Sequence, residues 1–210
     1  MVISTVGARP NFMKMAPIIH AVNMLEISNM LVHTGQHYDE NMSKVFIEDL
    51  KMPVPDIFLG VGSGSHAEIT AKIMVEFEKI CIENNPGLVI VAGDVNSTLA
   101  CALAAKKLNI SIAHVESGLR SFDQKMPEEI NRILTDHVSD ILFAPTETAY
   151  NNLINEGISK GKIRIVGDVM FDASLHFAHI AERTSNIINE LNLRPNEYIL
   201  ATIHRAENTD

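Results

Sequence analysis

The sequence predicts an α/β fold built on a doubly wound parallel sheet. Short runs of Val, Ile, Leu and Ala are almost uninterrupted by polar residues, as expected of strands buried on both faces. Stretches with helical periodicity separate these runs, which is typical of parallel strands joined by right-handed crossovers. Because such sheets bind ligands at the carboxyl ends of their strands, the residues that follow each strand are the first candidates for a functional site.

The predicted strands and helices alternate along the chain. The strands are Val2–Val6, Met30–Thr34, Leu88–Ala92, Ile110–Val115, Ile141–Ala144, Ile163–Val166 and Tyr198–Ile203. The helices are Phe12–Met24, Asn41–Leu50, Ala67–Glu83, Thr98–Lys107, Glu128–Val138, Glu147–Asn155 and Asp172–Leu191. We expect residues 1–167 to form an N-terminal domain. Residues 168–210 would then be a linker helix and the first strand of a second domain that the chain does not complete.

The composition excludes several classes of function. The chain has 210 residues, 46% of them hydrophobic, which suffices for one large α/β domain or for one domain and part of a second. Its net charge is -9 and no cationic stripe is visible, so nucleic-acid binding is not expected. Without a long apolar run or a signal-peptide pattern, we expect a cytoplasmic protein with no membrane partner. Cys81 and Cys101 lie in helix-like apolar patterns, which favours free thiols.

The turn after the first predicted strand carries two cations. Gly7 permits a tight turn, and Arg9 and Lys14 flank the start of the next helix. A helix N-terminus attracts anions, and nearby cations strengthen that attraction. Neither the spacing of a dinucleotide-binding motif nor that of a P-loop is present. An anionic substrate is therefore slightly favoured over two solvated surface side chains.

The second predicted strand leads into HTGQH, in which His33 and His37 are four residues apart. Gly35 argues against a helical metal-binding pair, and no third ligand lies at a suitable spacing, so no metal site is predicted. We interpret both residues as polar loop histidines, with Gln36 and His37 as candidates to contact a ligand. The stretch GVGSGSH at 60–66 is interpreted as a flexible loop rather than an anion-binding nest.

Two further strand ends carry carboxylates. Asp94 follows the strand at 88–92, and Asn96 and Ser97 are predicted to cap the alanine-rich helix after it. On this stretch alone, Asp94 is equally well explained as a functional carboxylate or as an acceptor for loop amides. Glu116 directly follows the next strand, at the ligand-binding edge of the sheet.

The sequence PEEINR, at 127–132, suits the start of a helix. Proline at the first position and acidic residues in the first turn are good helix-start chemistry, which by itself explains the pair of glutamates. The polar positions nevertheless share one face, since they are spaced i, i+3 and i+4: Glu128, Asn131 and Arg132. The apolar positions take the other side: Ile130, Ile133 and Leu134. His204 and Arg205 follow the last predicted strand, where phosphate contact or acid–base chemistry is compatible with them.

Taken in order, the motifs resemble the non-hydrolysing UDP-N-acetylglucosamine 2-epimerases. The matching segments are VGARPNFMKMAPI, HTGQH, GDVNSTLA, HVESGLRS, MPEEINR, APTET, VGDVMFDA and HRAEN. The resemblance implies a GT-B-type two-domain fold of which this chain holds the Rossmann-like first domain. It also implies an isomerase that uses a UDP-sugar without NAD or metal, and a homodimer in the full-length form.

The resemblance also implies roles for individual residues. The catalytic candidates are Asp94, Glu116, Glu128 and His204. The candidates for substrate binding are Arg9, Lys14 and Arg205, and those for an allosteric site are Gln36 and His37. The implied reaction interconverts UDP-GlcNAc and UDP-ManNAc, precursors of surface polysaccharides, by elimination of UDP to a glycal and re-addition. Inversion uses both faces of C2 and therefore needs two proton-handling groups, for which two carboxylates can serve.

Three alternatives remain open on the sequence. The substrate of such an epimerase could instead be a UDP-2,3-diacetamido uronic acid. A glycosyltransferase-like enzyme would have the same architecture and would transfer the sugar to an acceptor. Finally, the chain could be a catalytically incomplete fragment that only binds a sugar nucleotide.

Overall fold

The structure, a computed structural model, describes residues 1–35, 47, 49–194 and 196–201. The chain divides into two compact units, Met1–Ser174 and Leu175–Asp210. Among the described residues, no helix is both long enough and apolar enough to cross a membrane.

The first unit alternates strands with helices. In chain order its elements are β1 Val2–Val6, α1 Arg9–Met24, β2 Asn29–His33, β3 Ile57–Phe58, α2 His66–Asn84, β4 Leu88–Ala92, α3 Asn96–Lys107, β5 Ser111–Val115, α4 Pro127–Val138, β6 Ile141–Ala144, α5 Glu147–Asn155, the 3-10 turn Lys160–Lys162 and β7 Ile163–Ile165. Helix α6, Val169–Thr184, spans the boundary between the units, and α7, Ile187–Glu190, lies in the second unit.

The seven strands found in the described ranges belong to one sheet in the order β3-β2-β1-β4-β5-β6-β7, and every neighbouring pair is parallel. The chain builds the sheet outward from β1 in one direction and from β4 in the other. The predicted fold class, an α/β doubly wound Rossmann-like sheet, is therefore confirmed. The strand order reverses between β1 and β4, so the ligand-binding crevice of such a fold is expected at their carboxyl ends.

The main hydrophobic core joins the sheet to α2 and α3. Strand residues such as Ile3 and Val89 pack there with Ile73 and Phe77 of α2. Helix α3 is rich in alanine, and these small side chains are buried along most of its length, which allows close approach to both the sheet and α2. Cys81 and Cys101 are buried free thiols, as the sequence predicts.

Several predicted elements differ from those observed. Strand β3 was not predicted because it has only two residues, which pair with the end of β2. The helix predicted at 172–191 is interrupted at 185–186. The strand predicted at 198–203 is not formed at 198–201, which pair with no strand among the described residues, and its last two residues lie outside the described ranges. The predicted helix Asn41–Leu50 falls mostly outside them.

Two helix starts also depart from the sequence interpretation. The stretch at 60–66 is not simply a loop, because Ser65 and Glu68 form a reciprocal capping box that begins α2. Helix α3 begins after Val95, so Asn96 and Ser97 are its first residues and not its cap. Asn96 is buried, and its side chain bonds to other helices instead.

Candidate active site

Polar side chains gather where β4 and β5 end, beside the reversal of strand order. Gly93 follows β4, and its N–H donates to the Val115 carbonyl at 3.1 Å, which joins the turn after β4 to the end of β5. Gly93 and Glu116 both have left-handed backbone conformations, with φ of 68° and 67°. For a non-glycine residue this conformation costs on the order of 1 kcal/mol, so the surroundings must hold Glu116 there.

Glu116 forms an ion pair with Lys14 of α1. Lys14 Nζ contacts Glu116 Oε2, and both side chains are largely buried, at 12% and 15% exposure. A Cβ atom placed on Gly93 would lie 2.8 Å from Lys14 Nζ, so a larger residue would displace the ammonium, and the φ of 68° also favours glycine at this position. The structure thus brings together two residues singled out in the sequence, one from the first helix and one from the end of the fifth strand.

Asp94 is held by α4 through both its side chain and its backbone. Arg132 forms an ion pair with the Asp94 carboxylate. Asn131 Nδ2 donates to the Asp94 carbonyl at 2.9 Å and to Asn96 Oδ1 at 3.1 Å. The predicted polar face of α4 therefore does turn toward the strand ends. Asp94 and Glu116 each face a cation, but the two cations come from different helices.

The two glutamates at the start of α4 have different environments. Glu128 is exposed. Glu129 is buried, and its carboxylate accepts the N–H groups of Ser121 and Phe122 at 2.9 Å each. Burial alone would raise the pKa of Glu129, but these hydrogen bonds and the Arg132 guanidinium outweigh it and lower the pKa. Glu129 thus fixes the loop before α4, while Glu128 stays accessible to a ligand.

Sequence reasoning expected a polar face of α4 toward the cleft but did not predict how completely α4 buries its polar side chains. Its buried residues are Glu129, Asn131, Thr135 and Asp136. By contrast, Ile130 and Leu134 are about half exposed. The pattern reads as an ordinary amphipathic helix, so nothing in its periodicity signals which face is covered.

A buried charge cluster lies beneath the turn that carries Glu116, and we define it as His114, Arg120, Asp136 and Glu156. His114 bonds to Asp136 at 2.7 Å, and Arg120 bonds to Asp136 at 2.8 Å and to both oxygens of Glu156 at 2.6 Å. The side chains of His114, Asp136 and Arg120 are at most 1% exposed. The one available sequence signal was a histidine in an otherwise apolar strand.

His33 is not the polar loop residue that the sequence suggested. It ends β2 and is buried, with its ring 4.6 Å from that of Phe58 and 5.3 Å from that of Phe12. Burial lowers its pKa to about 4, outweighing a backbone hydrogen bond that acts in the opposite direction. Its Nδ1 accepts the Gly35 N–H at 2.9 Å, so His33 is a neutral core residue that fixes the following turn.

A cavity of about 520 Å³ opens beside this arrangement, between the starts of α2, α3 and α4. Its polar lining includes His66, Asn96, Asn131 and Lys125, and its apolar lining includes Met74 and Ile130. The side chains of His66 and Asn96 are hydrogen-bonded to each other, which extends the chain of contacts from Asp94 into the cavity wall. Its volume is within the range of small-molecule sites.

The remaining candidates lie beyond what the structure describes. Arg9 is the first residue of α1, but its side chain is outside the description, as are Gln36, His37, His204 and Arg205. Their roles therefore stay predictions. Among the described residues, no group of three or more His, Cys, Asp or Glu side chains is placed to hold a metal ion.

Comparison with known proteins gives a consistent family. The family model described as UDP-N-acetylglucosamine 2-epimerase matches residues 20–210. A UDP-N-acetylglucosamine 2-epimerase of Methanocaldococcus jannaschii is 50% identical over 206 residues, covering 97% of this chain and 56% of that protein. A UDP-2,3-diacetamido-2,3-dideoxy-D-glucuronate 2-epimerase of Pseudomonas aeruginosa is 49% identical over 212 residues, covering all of this chain and 58% of that protein.

Solved structures agree with this assignment. The crystal structure of M. jannaschii UDP-GlcNAc 2-epimerase in complex with UDP-GlcNAc and UDP has a TM-score of 0.88 and 50% identity, over 91% of this chain and 53% of that one. The chain spans somewhat more than half the length of the curated relatives that it matches. With a family model covering most of its residues and relatives at half identity, the chain belongs to the UDP-N-acetylglucosamine 2-epimerase family.

Proposed function

We propose that the protein carrying this chain interconverts UDP-GlcNAc and UDP-ManNAc without an acceptor, a metal or NAD. The observation that carries the proposal is the placement of two carboxylates, Asp94 and Glu116, at neighbouring strand ends with a cation paired to each. Inversion at C2 needs proton transfer on both faces of the sugar, and a pair of carboxylates can supply it. The nearby cavity is lined by Asn96 and Asn131, and Asn131 also bonds to the Asp94 carbonyl, but neither carboxylate lines it.

The reaction that fits this arrangement is elimination followed by re-addition. One carboxylate removes the C2 proton as the C1–O bond breaks and UDP leaves, giving a glycal. The other group delivers a proton to the opposite face of C2, and UDP adds back to C1. Asp94 and Glu116 are the proposed base and acid, in either order. The exposed Glu128 is the third carboxylate of the proposed acid–base group.

Positive charge is needed where the diphosphate departs. Lys14 is the proposed contributor among the described side chains, and its ammonium already lies against Glu116. Arg9, His204 and Arg205 are proposed to contact the substrate as well, and Gln36 and His37 to contribute to a second UDP-sugar site. We further propose that residues 1–167 form the domain that carries this chemistry and that 168–210 lead into a second one.

The identity of the sugar is best tested with two substrates. The relatives named as UDP-GlcNAc and diacetamido-glucuronate epimerases are almost equally similar to this chain, at 50% and 49% identity. These identities do not separate the two substrates. We propose UDP-GlcNAc as the substrate and keep the diacetamido uronic acid as the alternative. Incubating the protein, expressed from its complete reading frame, with each UDP-sugar alone should give the 2-epimer of one of them by NMR.

The proposed proton transfer predicts that solvent deuterium enters at C2 during turnover. Asp94→Asn and Glu116→Gln should each abolish this incorporation, because an amide cannot accept and return the proton. The measurement is the C2 proton signal of recovered UDP-sugar after incubation in D2O. Undiminished incorporation by both variants would contradict the assignment of these carboxylates.

The rival functions predict different outcomes. A glycosyltransferase-like enzyme would leave both UDP-sugars unchanged until an acceptor is added. A binding fragment would bind UDP in calorimetry but turn over neither sugar. We also propose a cytoplasmic homodimer, which light scattering of the complete protein would test.

A further inference from the structure

His114 is the one member of the buried charge cluster that touches the turn carrying Asp94. Its Nε2 lies 2.8 Å from the Gly93 carbonyl oxygen, and its Nδ1 lies 2.7 Å from Asp136 Oδ1. The side chain is completely buried, so water cannot replace either partner. None of the proton-transfer steps proposed above uses this residue.

The hydrogen bonds around His114 limit its protonation state. A backbone carbonyl can only accept, so Nε2 must carry a hydrogen. Asp136 already accepts the Gly118 N–H at 3.0 Å and an Arg120 N–H at 2.8 Å through its other oxygen. Both of these groups can only donate and Arg120 is always charged, so they stabilise the ionised form of Asp136. An ionised Asp136 can only accept as well, so Nδ1 must also carry a hydrogen.

Charge balance in the cluster agrees with this count. Arg120 is a cation, and Asp136 and Glu156 are anions that both contact it. A doubly protonated His114 adds the second cation and makes the cluster neutral. Glu156 is partly exposed, at 27%, and also lies 3.4 Å from His137 Nε2, so the protonation of His114 rests on its two acceptors more than on this balance.

The contacts of His114 and Asp136 connect the two turns that carry the proposed catalytic carboxylates. His114 bonds to the carbonyl of Gly93, the residue directly before Asp94. Asp136 accepts the N–H of Gly118, two residues after Glu116. Asp136 belongs to α4, the same helix whose Asn131 and Arg132 hold Asp94. The turn after β4, the turn after β5 and α4 are therefore fixed to one another. His114, bonded to Gly93 and to Asp136, adds a second connection between the turn after β4 and α4 beside the one that Asn131 and Arg132 make.

We propose that His114, doubly protonated and bonded to both the Gly93 carbonyl and Asp136, is a positioning residue that sets the separation of Asp94 and Glu116. We call the hydrogen bonds of His114 to the Gly93 carbonyl and to Asp136 the bridge, and this bridge is a property of the folded chain whatever the protein catalyses. Its catalytic consequence rests on the proposed epimerase function. Because misplacement of reacting groups by as little as about 1 Å can cost roughly 100-fold in rate, loss of the bridge should lower kcat more than it raises KM.

The first test reads the bridge without any substrate. Ring ¹⁵N NMR of the protein near neutral pH should show a histidine signal with both nitrogens protonated that is missing from His114→Gln. A neutral-tautomer signature for His114 would overturn the proposal. This outcome does not depend on what the protein catalyses.

The second test separates positioning from a merely structural role. Replacing His114 with Gln keeps a donor near the Nε2 position for the Gly93 carbonyl, whereas Asn keeps one near Nδ1 for Asp136. We expect kcat to fall roughly 10-fold in His114→Gln and roughly 100-fold in His114→Asn, with KM changed by less than about threefold. Ser139→Ala, which removes a buried hydrogen bond to Thr135 at the other end of α4, is the control and should keep the wild-type kcat.

The outcomes distinguish the two proposals. Equal kcat values for both His114 variants and the wild type would overturn the positioning role. If the wild type turns over neither UDP-sugar, the proposed function fails and the catalytic part of this inference fails with it, while the NMR result still decides the bridge. If His114→Gln does not fold, the signal missing from His114→Asn identifies His114 instead, and its protonation state in the wild type still decides the bridge.

Discussion

Helices α2 and α4 flank the same sheet but bury opposite kinds of side chain. Helix α2 buries an apolar stripe of Ile69, Ile73, Phe77, Ile80 and Cys81. Helix α4 buries Glu129, Asn131, Thr135 and Asp136 and leaves apolar residues half exposed. Apolar burial is non-directional, so α2 contributes stability without fixing individual atoms. The charged hydrogen bonds of α4 are directional, so it fixes the positions of Asp94 and the turn after Glu116.

The largest expected effect on stability comes from the apolar helix. Phe77→Ala removes a fully buried ring from the core between α2 and the sheet, and we expect a loss of about 3–5 kcal/mol in the free energy of unfolding. Val75→Ala in the same helix is the matched control, since Val75 is half exposed, and should change it by less than about 0.5 kcal/mol. Urea denaturation of the chain measures both. A similar loss for the two variants would contradict the core assignment.

The next largest effect separates the two glutamates that begin α4. Glu129→Gln replaces a buried carboxylate that accepts two backbone N–H groups and pairs with Arg132, so we expect a loss of about 2 kcal/mol. Glu128→Gln makes the same chemical change one residue earlier at an exposed position, and should alter stability by less than about 0.5 kcal/mol. In the proposed reaction Glu128→Gln would nonetheless lower activity. A larger loss of unfolding free energy in Glu128→Gln than in Glu129→Gln would contradict the assignment of Glu129 as the buried residue of the two.

The same pair predicts a pH effect on stability. The pKa of Glu129 in the folded state lies below its ordinary value of 4.5, so its contribution is fully present above that value and is lost as the pH falls through the folded pKa. Glu129→Gln should therefore flatten the acid side of the stability profile, while Glu128→Gln should leave that slope unchanged. Denaturation midpoints measured from neutral pH into the acid range test this. An unchanged slope in Glu129→Gln would contradict it.

The smallest effect concerns the apolar face of α4. Leu134 is 44% exposed, so Leu134→Gln should change the free energy of unfolding by less than about 0.5 kcal/mol. The comparison with Phe77→Ala shows whether α4 depends on its polar side, as the structure indicates. A loss above about 1 kcal/mol would mean that this face is covered in solution.

Much of the fold was predictable because the buried strands of a parallel sheet appear in the sequence as continuous apolar runs. Strands β1, β4 and β6 were predicted with their observed bounds. The two-residue β3 was not, because two residues carry no periodicity. The apolar run near residue 198 shows the reverse, since a propensity for strand does not make one where no neighbour pairs with it.

The candidate site was only partly predictable. Strand ends pointed to Asp94 and Glu116, because parallel strands present their carboxyl ends at one edge. The partners of these carboxylates were not visible as partners, since Lys14 and Arg132 lie 102 and 38 residues away from them along the chain. Which of Glu128 and Glu129 is buried was equally hidden, because both suit the first turn of a helix and only the packing of the preceding loop buries one of them.

By itself, the sequence determined the α/β class, the family motifs and the strand ends at which acidic residues stand, because these depend on local periodicity and local order. Only the tertiary structure decided which glutamate is buried and which face of α4 is covered. The same is true of the cluster in which His114 joins Gly93 to Asp136. Hydrogen bonds and ion pairs are short-range and directional, so their partners are chosen by how distant segments meet.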